Sequence, residues 1–219
     1  MKSYRYADGT FEAVYEIKRS KFIATVMGEV DGDSAETFVK NIKKKYADAT
    51  HNCYAYIGDV NGQATRFSDD GEPGGTAGQP IIEVLRKKGL VRTAVVVTRY
   101  FGGIKLGAGG LVGAYTESAV RGIECATIAT KTECVRLSVS TDYTLNPVVD
   151  KLVRKQGWTV DNTQYLDGVK TSLWIPTDEV KNVEAIITET TLGKALISYD
   201  MTKTEFVKID CKPTSGFFL

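Results

Sequence analysis

Residues 91–98 read VRTAVVVT, and a strand of this kind is apolar on both faces. Such a strand is expected at the centre of its sheet, where both of its faces are covered. Around it the chain is punctuated by glycine, in SDDGEPGGTAGQP from Ser68 and in VTRYFGGIKLGAGGLVGAY up to Tyr115. Glycine crowding marks backbone that turns sharply, takes positive φ or lets another molecule approach closely. The two stretches are therefore the expected binding surface.

On the N-terminal side, Phe11–Ile17 and Phe22–Val30 read as strands joined by a hairpin around Lys18–Lys21. A helix is expected from Ser34 to Tyr46, with Asp33 and Glu36 as its cap and Ala35, Phe38, Val39, Ile42 and Tyr46 as its apolar stripe. Lys40, Lys43 and Lys44 fall opposite that stripe. His51–Ile57 reads as a strand, Pro80 suits the first turn of a short helix that Gly89 stops, and a further helix spans Gly110–Glu124. Small residues Gly110, Gly113, Ala114 and Ser118 on one side of that helix predict close packing on the sheet.

Beyond a short linker at residues 126–132 the expected order is strand 133–141, helix 147–156 capped by Asn146 and stopped by Gly157, strand 158–166, an Asp167-Gly168 hairpin, strand 169–175, a helix after Thr177 that stops at Gly193, and strand 196–209. That βαββαβ order predicts a ferredoxin-like domain. The expected division is 1–130, 131–212 and a loosely ordered tail 213–219 in which Phe217 and Phe218 are able to dock.

Charge and cysteine content narrow the function. The 28 basic and 27 acidic residues divide as 17 and 15 up to Thr130 and 11 and 12 after it, so neither half is a strongly basic nucleic-acid module and any RNA contact must use local patches. Cys53, Cys125, Cys134 and Cys211 form no CxxC pair, which gives no support for zinc or thioredoxin-type chemistry. No apolar run of signal-peptide or membrane-spanning length is present, and the expectation is a cytoplasmic protein with reduced thiols, no membrane association and no cofactor.

Five glycines, Gly102, Gly103, Gly107, Gly109 and Gly110, lie between the buried strand and the following helix, with Arg99 and Lys105 among them. A helix start with nearby cations suits an anion, although neither a P-loop nor a GxGxxG spacing is present. Asp69, Asp70 and Glu72 make a dense acidic loop that lacks the ligand spacing of a calcium site, so no metal is assigned. His51 is the only histidine, and its default role is structural; no catalytic residue is assigned. Three basic clusters, Lys18, Arg19 and Lys21, then Lys40, Lys43, Lys44 and Lys45, then Arg86, Lys87 and Lys88, make one positive surface if folding gathers them beside Arg99 and Lys105, with Tyr54, Tyr56, Tyr100 and Phe101 available for stacking or for the core.

The blocks HNCYAY (51–56), DDGEP (69–73), TAGQP (76–80) and TRYFGGIKLG (98–107) with Gly109-Gly110-Leu111 together resemble the IMPACT/YigZ family. The resemblance implies an α+β protein: an N-terminal α/β sandwich like a small-subunit ribosomal protein and domain four of the translocase elongation factor, then a ferredoxin-like domain. Where the family often carries an arginine after Gly-Gly-Leu-Val, this chain has Gly113. The resemblance further implies relatives that regulate translation, the eukaryotic ones by binding a kinase activator. From the basic patches and the glycine loop, the leading expectation is a non-enzymatic, translation-associated regulator whose partner is RNA, the ribosome or a translation-related protein, bound through Lys40, Lys43, Lys44, Arg99, Lys105 and that loop. Two alternatives stand beside it: an enzyme or small-anion binder with a cleft between the acidic and glycine-rich loops, and a pure protein-interaction module presenting Tyr100 and Phe101.

Overall fold

The structure is a computed structural model describing residues 3–208, so the expected tail 213–219, with Phe217 and Phe218, lies outside the described residues. The chain divides between Ala129 and Thr130 into two compact units. The first contains β1 (Ser3–Ala7), β2 (Thr10–Ile17), β3 (Ser20–Gly28), α1 (Gly32–Lys45), β4 (His51–Ile57), β5 (Thr65–Ser68), α2 (Gly78–Lys88), β6 (Thr93–Tyr100) and α3 (Gly107–Glu124). Its sheet runs in the order β2-β3-β6-β4-β5, with each neighbouring pair antiparallel.

Strand β6 occupies the centre, as its composition requires. Val95 and Val97 pack with Ile81, Leu85, Tyr115 and Ala119 on the side covered by α2 and α3, whereas Ala94 and Val96 pack with Phe38, Val39 and Ile42 of α1 on the other. Strict alternation along one strand thus feeds two separate cores. The β2–β3 hairpin closes in two residues, Lys18 and Arg19, both at positive φ (46° and 63°), the turn geometry that matches strand twist.

Several boundaries differ from the sequence expectation. Helix α1 starts at Gly32, and its cap is Asp31 with Ser34: the Asp31 carboxylate accepts the Ser34 N–H at 2.8 Å, and the Ser34 hydroxyl accepts the Asp31 N–H at 2.8 Å. Asp33, expected to cap, sits inside the first turn, where it suits the positive end of the helix dipole. Helix α3 begins at Gly107, ahead of the expected Gly110. Strands β1 and β5 were not foreseen; β5 is four residues long and pairs only with β4.

The second unit takes β7 (Ile128–Thr141) from Thr130 onward, then α4 (Asn146–Gln156), β8 (Thr159–Tyr165), β9 (Val169–Pro176), α5 (Val180–Thr190) and β10 (Leu196–Lys208). Antiparallel neighbours β10-β7-β9-β8 give the ferredoxin-like order, with Val135, Leu137, Val139, Leu173 and Ile175 packed on α4 and α5. The Asp167-Gly168 turn is present, closed by the Leu166 N–H on the Gly168 carbonyl at 2.8 Å. Asn146 is not the cap of α4: the Asp142 carboxylate accepts the Leu145 N–H at 2.7 Å, while the Asn146 amide turns to Asp150. Most of the expected linker is strand, since β7 begins at Ile128. No helix among the described residues is long and apolar enough to cross a membrane.

Candidate functional site

The acidic loop is built into the fold. Asp69 accepts backbone N–H groups from Gly75 (2.8 Å), Ala77 (2.9 Å) and Gly78 (2.8 Å), and so closes the loop and caps the start of α2. Burial alone would raise its pKa, but those N–H donors outweigh burial and hold the carboxyl below its ordinary value. Asp70 accepts the Asn52 N–H at 2.6 Å and pairs with Lys43 Nζ at 2.5 Å. Neither side chain is a free carboxylate facing solvent.

Glu72 is buried and joins three elements. Its Oε1 accepts from Arg99 Nη1 at 2.6 Å and from the Tyr115 hydroxyl at 2.8 Å, and its Oε2 lies 4.0 Å from His51 Nε2. His51 Nδ1 is 2.8 Å from the Asp70 carbonyl, which only accepts, so Nδ1 carries the proton and donates. Cys53 donates its S–H to the Asp69 carbonyl at 2.9 Å, and burial pushes this thiol up to about 12, which makes it a structural group and excludes an activated nucleophile. Burial also raises Tyr115, whose hydroxyl therefore stays protonated as a donor. Tyr115 was missed in the sequence, where it reads as one more apolar helix residue.

This cluster forms one wall of a cavity of about 440 Å³ that also takes in Phe101, Lys105, Leu106, Gly107 and Leu111. The acidic and glycine-rich stretches, far apart in sequence, do meet here. The guanidinium carbon of Arg99 lies 5.4 Å from the ring centroids of both Phe22 and Phe101, within cation–π range of each. Tyr100 turns away and donates to Asp48 at 2.9 Å.

The five loop glycines have different reasons to be glycine. A Cβ at Gly102 would lie 2.0 Å from the Arg19 carbonyl, so that position is fixed by contact with the β2–β3 turn. Gly103 and Gly107 take positive φ (85° and 74°), a Cβ at Gly110 would meet Leu106 at 3.1 Å, and a Cβ at Gly109 would meet nothing within 4 Å. The expected small-residue stripe is also redrawn: Gly113 is exposed with open space around it, and the glycine that lets α3 lie on the sheet is Gly122, where a Cβ would be 3.0 Å from Ala24 and Val26.

The lysines of α1 do not join this cavity. Because α1 covers the opposite face of the sheet from α2 and α3, Lys40, Lys43 and Lys44 are separated from Arg99 and Lys105, and the single positive surface expected from sequence becomes two. Lys40 and Lys43 line a groove of about 250 Å³ together with Glu36, Tyr54, Tyr56 and Arg66. Tyr54 is half-buried and stacks on Tyr56, whose ring is almost wholly buried and serves the core. Lys43 Nζ sits 5.6 Å from the Tyr54 centroid.

Comparison with known proteins agrees with this two-unit construction. Residues 18–123 match the Impact N-terminal domain, and residues 139–194 match a domain of unknown function, DUF1949. The chain is similar to IMPACT family member YvyE of Bacillus subtilis (37% identical, covering 82% of each chain) and to IMPACT family member YigZ of Escherichia coli (32% identical, covering 88% of this chain and 96% of the relative). A crystal structure of a hypothetical protein is 30% identical with a TM-score of 0.60, covering 90% of this chain and 97% of that one. With the HNCYAY, DDGEP and TRYFGGIKLG blocks each contributing to one cavity, both domains matched and relatives at 32–37% identity over most of their length, the chain belongs to the IMPACT family.

Proposed function

We propose that this protein is a translation-associated regulator that binds RNA along the α1 face of its first unit. The observation that carries the reading is the α1 groove, where exposed Lys40 and the Lys43 ammonium stand beside the half-buried Tyr54 ring and Arg66. Cations that follow phosphates next to an aromatic ring that accepts a base are the two components of single-strand recognition. Lys44 is exposed on the same helix. Of the groove's cations, Lys43 is paired with Asp70 and Arg66 with Glu36, as Lys45 is with Glu12 at 3.1 Å, so Lys40 and Lys44 are the cations left to meet phosphates. The family's link to translation supports the same reading, and no catalytic step is required of it.

Binding by phosphate neutralisation releases counterions and weakens steeply with salt. Affinity for a single-stranded RNA across a salt series therefore tests the proposal, with a Lys40→Ala/Lys44→Ala variant as the probe. Loss of two phosphate contacts should make the log–log salt slope shallower by about 1.4. A flat salt response in the wild type, or an unchanged slope in the variant, would count against RNA as the partner of this face.

A further inference from the structure

At one end of the first unit's sheet the β2–β3 turn meets the loop that follows β6. The Gly102 N–H donates to the Ser20 hydroxyl at 3.1 Å, and the close approach of Gly102 to the Arg19 carbonyl locks the two segments together. We infer that, on the RNA reading of α1, the same strand continues round this end of the sheet, with phosphates on Lys21, Lys18, Arg19 and Lys105 and a base on Phe101. All four cations are exposed, and none of them forms an ion pair among the described residues. They also lie in order across the end. Lys21 shares the side of β3 that carries Met27 toward α1, Lys18 and Arg19 form the turn, and Lys105 lies in the loop that leads into α3.

The opposing carboxylates are Glu16, which stands across the ladder from Lys21, and Asp48, which accepts from Tyr100; Glu12 is paired with Lys45. Four cations against two leave this end positive. The way from α1 is short, because its last turn carries Lys44 and the connection after it is bonded to the loop, Asp48 to the Tyr100 hydroxyl at 2.9 Å and Thr50 to the Phe101 N–H at 3.0 Å. Apolar exposure points independently to a partner. Phe101 is 45% exposed and Ile104 41%, and Phe101 is backed by the Arg99 guanidinium carbon at 5.4 Å from its centroid, so the ring is a fixed platform for a base. Lys18 and Arg19 add to this. Both hold a positive φ at which Asn and Gly are at ease in a two-residue turn, and the chain places cations there instead.

Fluorescence anisotropy of the whole protein with a single-stranded RNA of about 16 nucleotides, read across a salt series, tests the continuation. Lys18→Asn/Arg19→Gly removes two cations and gives the turn the residues its backbone prefers, so the melting temperature should not fall. Its log–log salt slope should be shallower than that of wild type by about 1.4, and adding Lys40→Ala/Lys44→Ala should bring the change to about 2.8. Phe101→Ala should weaken binding by about fivefold or more at an unchanged slope, the scale of one stacked base. One strand should saturate one protein. An unchanged slope in the turn variant while the α1 variant lowers it overturns the continuation and leaves the α1 reading standing. The reverse pattern keeps this end as the RNA surface and overturns the α1 reading. Two strands per protein, each sensitive to one variant only, overturn the shared path. Turn-dependent binding of polyglutamate or of phosphatidylserine vesicles, with no response to RNA, assigns this end to an acidic protein or a membrane and also overturns it.

Discussion

Arg99 lies buried beside Glu72, and the Tyr115 hydroxyl points at the same carboxylate oxygen, so removing the charge of Glu72 strands a guanidinium inside the first unit. Glu72→Gln preserves shape and should still cost about 3 kcal/mol in urea denaturation, because an unpaired buried charge is far more expensive than a lost contact. Tyr115→Phe removes one hydrogen bond to that carboxylate and should cost about 1–2 kcal/mol. A Glu72→Gln cost no larger than that of Tyr115→Phe would mean that the ion pair is solvated. Asp69 gives the pH dependence. Its folded-state pKa is held below the ordinary 3.8 by three N–H donors acting against burial. A depressed carboxylate stabilises the fold above its unfolded pKa and loses that contribution as pH falls through the folded value. The stability advantage of wild type over Asp69→Asn should therefore be full at neutral pH and shrink below about pH 4; a constant gap down to pH 2 would exclude Asp69 as the source. At this scale the sequence announced His51, Glu72 and Arg99 through their motif blocks. It concealed Tyr115, because only the docking of α3 turns that hydroxyl toward a buried carboxylate.

Elements obeyed local chemistry where local chemistry sufficed. Strand β4 has the boundaries read from HNCYAYI, and Gly89 ends α2 at φ 64° as a left-handed stop. The cap of α1 was misplaced because Asp31, Asp33 and Glu36 all suit a helix start, and only the Asp31–Ser34 spacing closes both hydrogen bonds. Asp31→Ala should accordingly cost about 1 kcal/mol, whereas Asp33→Ala should cost only a fraction of that. Helix α3 supplies a sharper contrast. Gly113→Ala adds a methyl in open space and should stabilise by about 0.5–1 kcal/mol through helix propensity alone. Gly122→Leu drives carbon into Ala24 and Val26 and should destabilise by about 1–3 kcal/mol. Thermal melts of the two variants moving in the same direction would contradict the packing described for this helix. Periodicity showed that α3 has a small-residue side but not which glycine on it meets the sheet, since that depends on the axial position of the docked helix.

Across the whole molecule, the largest gap between sequence and structure is the separation of the lysine helix from the glycine loop. Wheel positions give the polar face of α1 and say nothing about which side of the sheet that helix crosses; topology alone decides it. The two units also carry built-in reporters. Burial pushes Cys53 of the first unit up to about 12 and Cys134 of the second up to about 11, whereas Cys125 is exposed. In a Cys211→Ser background at pH 8, alkylation should modify Cys125 within the mixing period, and Cys53 and Cys134 only as their own units open. Pulsed labelling along a urea gradient then reads the stability of each unit separately, and rapid modification of Cys53 in native buffer would refute its burial. The adjacent residues Asp69 and Asp70 have one more consequence. One grips the start of α2 and the other grips Lys43 of α1, so a single peptide unit rivets layers on both sides of the sheet. A disturbance that reaches this rivet from either side is handed to the other across one Cα–Cα step of about 3.8 Å.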